Sequence, residues 1–308
     1  MAAADRASNE LLVICGPTAS GKSALAATLA EQAAITIVSA DSRQVYRGFD
    51  VGTAKPTRDE QTRIPHHGVD VADAAERYSA ARWAAEADRW VADAVASGRR
   101  PVVVGGTGLY LRAFFEGLFE EPVLDVAQRR ALERELASRG TEELRRWVRD
   151  LDPPRAHLGR TQLLRSVEIA LLTGRRLSDL HRERPRRPHW RPRYLVVDPG
   201  PVLAERIARR IDAMLEDGWA EEVQRLMQTV PADAPAWNST GYDAVRRYVR
   251  GEISRDAMRE AVLIGTRQYA KRQRTWFRHQ LPDDATTRID PLGPQAAATI
   301  LAWSAAPR

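Results

Sequence analysis

Residues 11–23 read Leu11-Leu12-Val13-Ile14-Cys15-Gly16-Pro17-Thr18-Ala19-Ser20-Gly21-Lys22-Ser23. An apolar run leads into the spacing G-x-x-x-x-G-K-S, and an Ala/Leu-rich segment, 24–30, follows it. Strand, glycine-rich loop and helix in this order are the context in which the motif binds phosphate. Backbone N–H groups and the helix N-terminus favour an anion there. We therefore predict a phosphate-binding loop made by Gly16, Pro17, Thr18, Ala19, Ser20, Gly21, Lys22 and Ser23, with Lys22 as its cation and Ser23 as a ligand to Mg²⁺.

The composition limits the class of protein. A chain of 308 residues with 44% hydrophobic residues can form one large or two modest domains around a substantial core. Its net charge of +6 and pI of about 9.8 favour a polyanionic partner. The lone Cys15 excludes an internal disulfide and a multi-cysteine zinc site. Because no apolar run approaches about 18 residues, we expect a soluble cytoplasmic protein with no membrane partner.

Two further strands deliver polar residues to the same edge of the predicted sheet. The β-branched run 35–39 precedes Asp41, and parallel α/β sheets bind ligands at the carboxyl ends of their strands. Asp41 is placed to act as a general base, or it could instead cap the following turn. The run 101–104 opens into Gly105-Gly106-Thr107-Gly108-Leu109-Tyr110, where Leu111 replaces the last glycine of a dinucleotide fingerprint. The segment is therefore not a dinucleotide-binding loop, and we predict a turn that presents the Thr107 hydroxyl.

The middle of the chain changes character at residue 119. Charged helical patterns cover 125–138, 142–151 and 161–173, and an Arg/Pro-rich linker follows before sheet-like sequence resumes at Tyr194. We predict an α/β fold with a P-loop NTPase-like parallel sheet flanked by helices, interrupted by a mainly helical insertion. The predicted boundaries are 10–118 and 194–282 for the core, 119–193 for the insertion and 283–308 for a C-terminal tail.

Two helices of the second half carry arginines. The helical pattern 202–217 places Arg206 and Arg210 one turn apart. The two guanidinium groups either bind an anion or form an ordinary solvated pair. A longer helix begins at Ser254 and places cations at steps of four, three and four, with aromatic residues between them and no acid between residues 260 and 283. These cations are Arg267, Lys271, Arg274 and Arg278. The stripe favours contact with a nucleic-acid backbone over an ordinary solvated face.

Several segments together resemble the bacterial tRNA dimethylallyltransferase (tRNA isopentenyltransferase) family, in the family's order and over most of residues 11–280. They are the phosphate loop at 16–23, Ser39-Ala40-Asp41-Ser42-Arg43-Gln44-Val45-Tyr46, Gly52-Thr53-Ala54-Lys55-Pro56, the turn at 105–110, Gly241-Tyr242, and Thr266-Arg267-Gln268-Tyr269-Ala270-Lys271-Arg272-Gln273-Arg274-Thr275-Trp276.

The resemblance implies transfer of a dimethylallyl group from dimethylallyl diphosphate to N6 of adenine-37, beside the tRNA anticodon. The products are N6-dimethylallyladenosine and diphosphate. Asp41 falls where the family has its general base, and Thr107 falls beside the target base. The matching tRNA-contact positions are Asp41, Ser42, Arg43, Gln44, Thr107, Arg129, Thr161, Gln162, Leu163, Leu164, Arg165, Gly241, Tyr242, Lys271, Arg272, Gln273, Arg274, Trp276 and Arg278. The basic stripe adds Arg267 to the predicted tRNA-binding residues. The chain departs from the family pattern at Gly159 and Gln162, where the family usually has an Asp and an Arg.

Prenyl transfer from a diphosphate requires groups that the sequence contains. Loop amides, Lys22, Mg²⁺ at Ser23 and Arg206 would offset the charge of a diphosphate leaving group. With the roles that the resemblance implies for Asp41 and Thr107, the predicted catalytic residues are Lys22, Asp41 and Thr107, acting in an Mg²⁺-dependent monomer. Two alternatives remain. A P-loop small-molecule kinase or adenylate prenyltransferase acting on free nucleotide would not need the basic stripe, and a non-catalytic RNA-binding module would leave Asp41 and the complete loop unexplained.

Overall fold

The computed structural model describes residues 9–117, 124–182 and 189–305. The chain divides into two compact units. The core unit comprises Met1–Phe115 and His189–Arg308, and the insert unit comprises Glu116–Pro188. The boundaries predicted from the sequence, 118/119 and 193/194, lie a few residues further along the chain.

The core unit contains a six-stranded parallel sheet in the order β3-β2-β4-β1-β5-β6. The strands are β1 (Glu10–Cys15), β2 (Ile35–Ala40), β3 (His66–His67), β4 (Arg100–Gly105), β5 (Arg191–Val197) and β6 (Thr286–Ile289). Central strands read as continuous apolar runs because both faces of the sheet are covered. Since β1 pairs with β4 and β5, the loop that follows β1 emerges at the middle of the carboxyl edge. The predicted α/β class with a P-loop NTPase-like parallel sheet is confirmed.

The helices pack around this sheet or form the insert. In chain order they are α1 (Lys22–Ala30), α2 (Arg58–Arg63), α3 (Ala80–Ala96), α4 (Gly108–Phe115), α5 (Val126–Ala137), α6 (Thr141–Leu151), α7 (Arg160–Thr173), α8 (Leu177–Arg182), α9 (Leu203–Glu216), α10 (Trp219–Thr229), α11 (Tyr242–Val249), α12 (Arg255–His279) and α13 (Ala296–Ala305). Ser79 and Ser254 cap α3 and α12 by accepting backbone N–H groups of their first turns, and Ser254 was the predicted start of α12.

The insert unit is built from α5–α8. Its core is an apolar cluster of fully or almost fully buried residues that includes Leu136, Leu144, Val148, Leu163 and Val167. The unit therefore has a hydrophobic core of its own, as a separately folding domain requires.

The C-terminal segment differs from the expected tail. Residues of 283–305 form β6, which pairs in parallel with β5, and α13, whose Ile300 and Trp303 are buried in the main core beside Leu25 and Leu29 of α1. The Arg193 guanidinium donates a hydrogen bond to the Trp303 carbonyl over 2.8 Å. This segment is thus part of the core unit. Within the described residues, no helix is both long and apolar enough to cross a membrane.

Candidate active site

The predicted phosphate loop lies between β1 and α1, and its backbone explains its glycines. Gly16 has φ 145° and Gly21 has φ 104°, a region that disfavours side chains. A Cβ on Gly16 would lie 2.3 Å from the Val197 carbonyl oxygen. Ala19 takes a positive φ of 61° without being glycine. Such local strain is concentrated at functional sites, and here it turns the loop at the N-terminus of α1.

Lys22 lies back over this loop. Its Nζ donates hydrogen bonds to the carbonyl oxygens of Gly16 (3.1 Å) and Pro17 (2.7 Å). Burial lowers the pKa of Lys22 to about 8; the Asp41 carboxylate opposes this shift and the Arg210 guanidinium adds to it. An anion bound in the loop would favour the ammonium form. The electrostatics of Lys22 therefore fit a phosphate-binding role.

Two arginines of α9 approach the loop. The Arg206 Nε donates a hydrogen bond to the Ala19 carbonyl over 2.8 Å, so it both supports the strained loop and lies at its surface. Arg206 and Arg210 line a cavity of about 340 Å³ together with Ala19–Ala24. Burial lowers the pKa of Arg210, and Asp41 opposes that effect. The sequence left the role of Arg210 open, and the structure brings it to the loop because residues four apart share one helix face.

Asp41 follows β2 and faces the same region. Its Oδ1 accepts a hydrogen bond from the backbone N–H of Arg43 over 2.9 Å, which is the turn-capping contact considered from the sequence. The half-buried carboxylate also lines two cavities. One, of about 380 Å³, is shared with Lys22 and Ser23. The other, of about 60 Å³, is shared with Thr18 and Arg210. Capping and contact with a ligand are therefore compatible for this residue.

Thr107 fixes the turn after β4 against the turn that carries Asp41. Its Oγ1 accepts a hydrogen bond from the backbone N–H of Ser42 over 2.9 Å, and its own amide donates to the Ala40 carbonyl over 3.0 Å. Tyr269 of α12 lines the smaller Asp41 cavity, and burial raises its pKa to about 12, with a smaller contribution from Asp41. Tyr269 was not among the predicted site residues. Its position between the cations of α12 was the signal that could have identified it.

Several predicted tRNA contacts have side chains that are engaged inside the protein. Gln44 accepts a hydrogen bond from the Ser39 hydroxyl (3.0 Å) and donates to the Ala54 carbonyl (3.0 Å). Tyr242 is fully buried, and its hydroxyl donates to the Glu222 carboxylate over 2.7 Å. Gly241 has φ 93°, and a Cβ there would lie 2.4 Å from the Trp219 ring. The Tyr242 side chain is therefore not available for RNA, and Gly241 is required for packing. The half-buried Gln44 side chain is held by these hydrogen bonds and lines the cavity of Asp41 and Lys22.

Gln273 is a further correction of the same kind. It is 7% exposed, and its side chain is hydrogen-bonded to the backbone of the phosphate loop and of the turn after β4. It therefore belongs to the interior of the core unit and not to an RNA-facing surface. The helical period explains the error, because Gln273 lies on the buried face of α12 with Ala270 and Phe277.

The remaining cations of α12 divide into two groups. Arg267, Lys271, Arg272 and Arg278 are exposed, and within the described part of the chain none of them has an ion-pair partner. Arg274 instead pairs with Asp198 over 2.5 Å and donates to the Gly200 carbonyl. Trp276 packs over Gly108, where a Cβ would lie 2.3 Å from the indole ring. The exposed basic face of α12, defined here as Arg267, Lys271, Arg272 and Arg278, is thus narrower than the predicted stripe.

The insert unit holds the other predicted tRNA contacts. The buried Glu168 carboxylate pairs with both Arg129 and Arg165, which are themselves largely buried. Leu163 is fully buried in the insert core, so its side chain is not on an RNA-facing surface, and Leu164 packs partly against the same core. Thr161 and Gln162 are exposed at the start of α7.

Gly159 and Gln162, where the chain departs from the family pattern, have a structural role. The Gln162 Oε1 accepts a hydrogen bond from the Gly159 N–H over 3.2 Å. The two residues therefore complete the first turn of α7, where backbone N–H groups lack helical partners.

Ser23 remains the candidate ligand for Mg²⁺. Among the residues that the structure describes, no three or more His, Cys, Asp or Glu side chains gather as a metal site. The exposed Ser23, in the first turn of α1, lines one cavity with Lys22 and Asp41 and another with Arg206 and Arg210. Mg²⁺ commonly takes one or two protein oxygens and completes its coordination with substrate phosphates and water. The donor set fits such a shared site.

Comparison with known proteins agrees with this arrangement. A family model described as isopentenyl transferase matches residues 9–66, and one described as IPP transferase matches residues 44–280. The chain is 44% identical over 280 residues to the tRNA dimethylallyltransferase of Methylococcus capsulatus, covering 88% of this chain and 89% of the relative. It is 41% identical over 276 residues to that of Geobacter metallireducens, covering 87% and 89%.

Solved structures give the same result. The crystal structure of a tRNA isopentenylpyrophosphate transferase from Bacillus halodurans has a TM-score of 0.67 and 30% identity, covering 95% of this chain and 93% of that one. A eukaryotic dimethylallyltransferase, described as acting on tRNA, has a TM-score of 0.72 and 27% identity, covering 92% and 74%. These matches extend from β1 through α12 and include the loop, Asp41 and the basic helix. The chain belongs to the IPP transferase family.

Proposed function

We propose that the protein transfers a dimethylallyl group from dimethylallyl diphosphate to N6 of adenine-37 in tRNA, releasing diphosphate. The observation that carries this proposal is that the phosphate loop and the Asp41 carboxylate line one cavity of about 380 Å³. A leaving-group site and a base are thus next to each other, as transfer to an amine requires. The names of the curated relatives, tRNA dimethylallyltransferases, support a dimethylallyl group as what is transferred and tRNA as what accepts it.

The donor's diphosphate would bind at the loop. Backbone N–H groups, the Lys22 ammonium and the guanidinium groups of Arg206 and Arg210 present positive charge there. Charge that develops on the leaving group in the transition state is stabilised by such fixed donors. Mg²⁺, held by Ser23 and the diphosphate, would supply further charge neutralisation.

The acceptor adenine would bind on the side of Asp41 that faces away from the phosphate loop. The adenine exocyclic amine must lose a proton when it forms the new C–N bond, and Asp41 is the base that we assign to it. Thr107 and Tyr269 border the same turn. The allylic carbon gains cationic character as the diphosphate leaves, so the site must exclude water. An adenine in an anticodon loop must be unstacked to reach such a site.

The tRNA itself would contact the exposed basic face of α12. Its cations lie on a single long helix, which suits the spacing of a phosphate backbone. The exposed Thr161 and Gln162 of the insert unit, with Arg129 and Arg165 oriented by Glu168, are the contacts that we propose there. Since the acceptor is tRNA, we place the enzyme in the cytoplasm, and we propose that it acts as a monomer.

The test is mass analysis of nucleosides after incubation of the purified protein with tRNA, Mg²⁺ and dimethylallyl diphosphate. We expect N6-dimethylallyladenosine only when all components are present, and no requirement for ATP. Parallel reactions with AMP as acceptor test the free-nucleotide alternative. Prenylated AMP with unmodified tRNA would contradict the proposal, as would a requirement for ATP hydrolysis.

A further inference from the structure

Gln273 is a polar residue on the buried face of α12. Its neighbours along that face are Ala270 and Phe277, which are 2% and 1% exposed. A buried primary amide is stabilising only when its hydrogen bonds are satisfied. Both ends of the Gln273 amide are satisfied, and by two loops of the site.

The two partners define the orientation of the amide. The Thr18 backbone N–H donates to Gln273 Oε1 over 2.8 Å, and Gln273 Nε2 donates to the Gly106 carbonyl over 2.9 Å. Because one partner can only donate and the other can only accept, the oxygen and nitrogen positions follow from the network. The Thr18 amide is therefore committed to Gln273 and is not free for a phosphate.

The contact also requires a close approach of the two loops. A Cβ on Gly106 would lie 2.3 Å from Gln273 Nε2 and 3.1 Å from the Gly16 carbonyl oxygen. Gly106 is followed by Thr107, whose turn is fixed to the Asp41 turn. The single amide of Gln273 thus connects the loop that would hold the diphosphate to the turn that borders the base.

We propose that Gln273 is a positioning residue that sets the distance between donor and acceptor in the transfer reaction. The proposal rests on the proposed function, because it assigns the donor to the phosphate loop and the adenine to the Asp41 side. A displacement of about 1 Å between reacting groups can lower a rate by about 10²-fold. Loss of the amide would let the loop and the turn move apart, although Gln273 touches neither substrate.

The experiment compares Gln273→Met and Gln273→Glu with the matched variants Gln224→Met and Gln224→Glu, which alter an exposed glutamine of α10, away from the exposed basic face of α12. Single-turnover transfer is measured at saturating dimethylallyl diphosphate and tRNA, per folded molecule and well below each melting temperature. We expect Gln273→Met to lower the rate by up to about 100-fold, with the dissociation constants of both substrates changed by less than the rate. The Gln224 variants should keep the wild-type rate.

The Glu variant supplies a readout that a purely structural role would not move. The Gln273→Glu carboxylate keeps an acceptor for the Thr18 N–H but repels the Gly106 carbonyl, whereas its protonated form can donate to that carbonyl. Burial favours the protonated form. The rate of Gln273→Glu relative to wild type should therefore rise as pH falls towards 5, while the ratio for Gln273→Met stays flat.

The outcomes separate this inference from the proposed function. Wild-type protein that does not modify tRNA contradicts the function. Active wild type with a Gln273→Met rate within about twofold of it, or a Gln273→Glu ratio that does not depend on pH, overturns the positioning role and leaves the function intact.

Discussion

Asp41 combines two contacts that sequence reasoning treated as alternatives. Its Oδ1 caps the turn through the Arg43 N–H, and its carboxylate borders the cavity of the phosphate loop. A carboxylate offers about four lone-pair positions, so one capping hydrogen bond does not prevent it from accepting a proton from an amine.

The first prediction concerns Asp41→Asn. The amide oxygen can still accept the Arg43 N–H, but it cannot act as a base. We expect the single-turnover rate to fall by about 10²–10⁴-fold, with little change in tRNA affinity or melting temperature. Asp290→Asn is the matched control, because Asp290 caps an exposed turn in the same way, accepting the Leu292 N–H over 2.9 Å. A near-wild-type rate for Asp41→Asn would remove Asp41 from the mechanism.

The second prediction concerns pH and Lys22. In the free protein burial lowers the Lys22 pKa to about 8, below its ordinary 10.5. Above about pH 8 the free enzyme loses this charge, so the dissociation constant of dimethylallyl diphosphate should rise with pH, by about tenfold per unit. Lys22→Arg keeps its charge to well above pH 12 and should bind more weakly but without this rise.

The free energy of unfolding should increase with pH between about 8 and 10.5, whereas the affinity for the donor falls. Between pH 8 and 10.5 an unfolded Lys22 still binds a proton that the folded protein has released. The free energy of unfolding should therefore gain a contribution as pH rises. Titration calorimetry of dimethylallyl diphosphate binding from pH 7 to 9.5 tests the predicted rise in its dissociation constant. A wild-type dissociation constant that does not change with pH would contradict it.

For individual residues, the sequence predicted positions at the site better than the directions of the side chains. The loop, Asp41 and Thr107 all lie at the carboxyl edge of the sheet, as the order of strand and polar residue predicted. Gln44, Tyr242 and Gln273 match the family pattern equally well, yet their polar groups bind the protein's own backbone or side chains. A motif defines which residue type is needed at a position, and only packing defines whether it faces a ligand or the interior.

At the scale of elements, α12 has two faces with different roles. Its buried face carries Gln273 against the active-site loops, and its outer face carries the exposed cations. Arg274, although in step with those cations, pairs with Asp198. Removing Arg274 would therefore disturb the core unit as well as any RNA contact, so it is a poor probe of binding.

The third prediction uses the outer face alone. Replacing Arg267, Lys271 and Arg278 by alanine, singly and together, should weaken tRNA binding. The slope of log affinity against log salt should flatten by about 0.7–0.9 for each phosphate that the variant no longer neutralises. Arg89→Ala on α3 is the control, because Arg89 is 73% exposed and its nearest acid, Glu86, is 3.9 Å away. Dimethylallyl diphosphate binding should not change. An unaltered slope in the triple variant would place the RNA elsewhere.

Two helices of the core unit, α10 and α11, were not predicted from the sequence. Ser254, a capping residue, marked the start of α12. By contrast, α10 and α11 begin at Gly218 and Gly241, which have φ values of 90° and 93° and no capping side chain. Glycine at a positive φ reads as a turn in a sequence, so these helices were not predicted. β6 has only four residues and was missed because it is too short to show a period.

At the scale of the whole molecule, the chain has separate hydrophobic cores. Leu12, Ile14 and Trp303 belong to the core of the sheet, whereas Leu136 and Leu163 belong to the core of the insert unit. The sequence predicted the insertion from a change in composition. It could not predict that the last residues return to the sheet, because that contact spans more than a hundred residues, from Arg193 to Trp303.

The last prediction follows from these separate cores. Leu163→Ala removes a fully buried side chain from the insert core and should lower the stability of that unit by about 2–5 kcal/mol. Because the sheet core is untouched, a part of the unfolding transition should move to lower temperature while the rest stays in place. At a temperature between the two transitions, the variant should still bind dimethylallyl diphosphate but should no longer modify tRNA.

The matched variant is Ile300→Ala, which removes a fully buried side chain of α13 from the main core. It should shift the other part of the transition and weaken donor binding, since α13 packs on the helix that follows the phosphate loop. Calorimetric melting curves with and without the donor measure both effects, because a ligand stabilises only the unit that binds it. A single transition that both variants shift by the same amount would show that the two units unfold together, and the insert would then be required for donor binding as well as for tRNA.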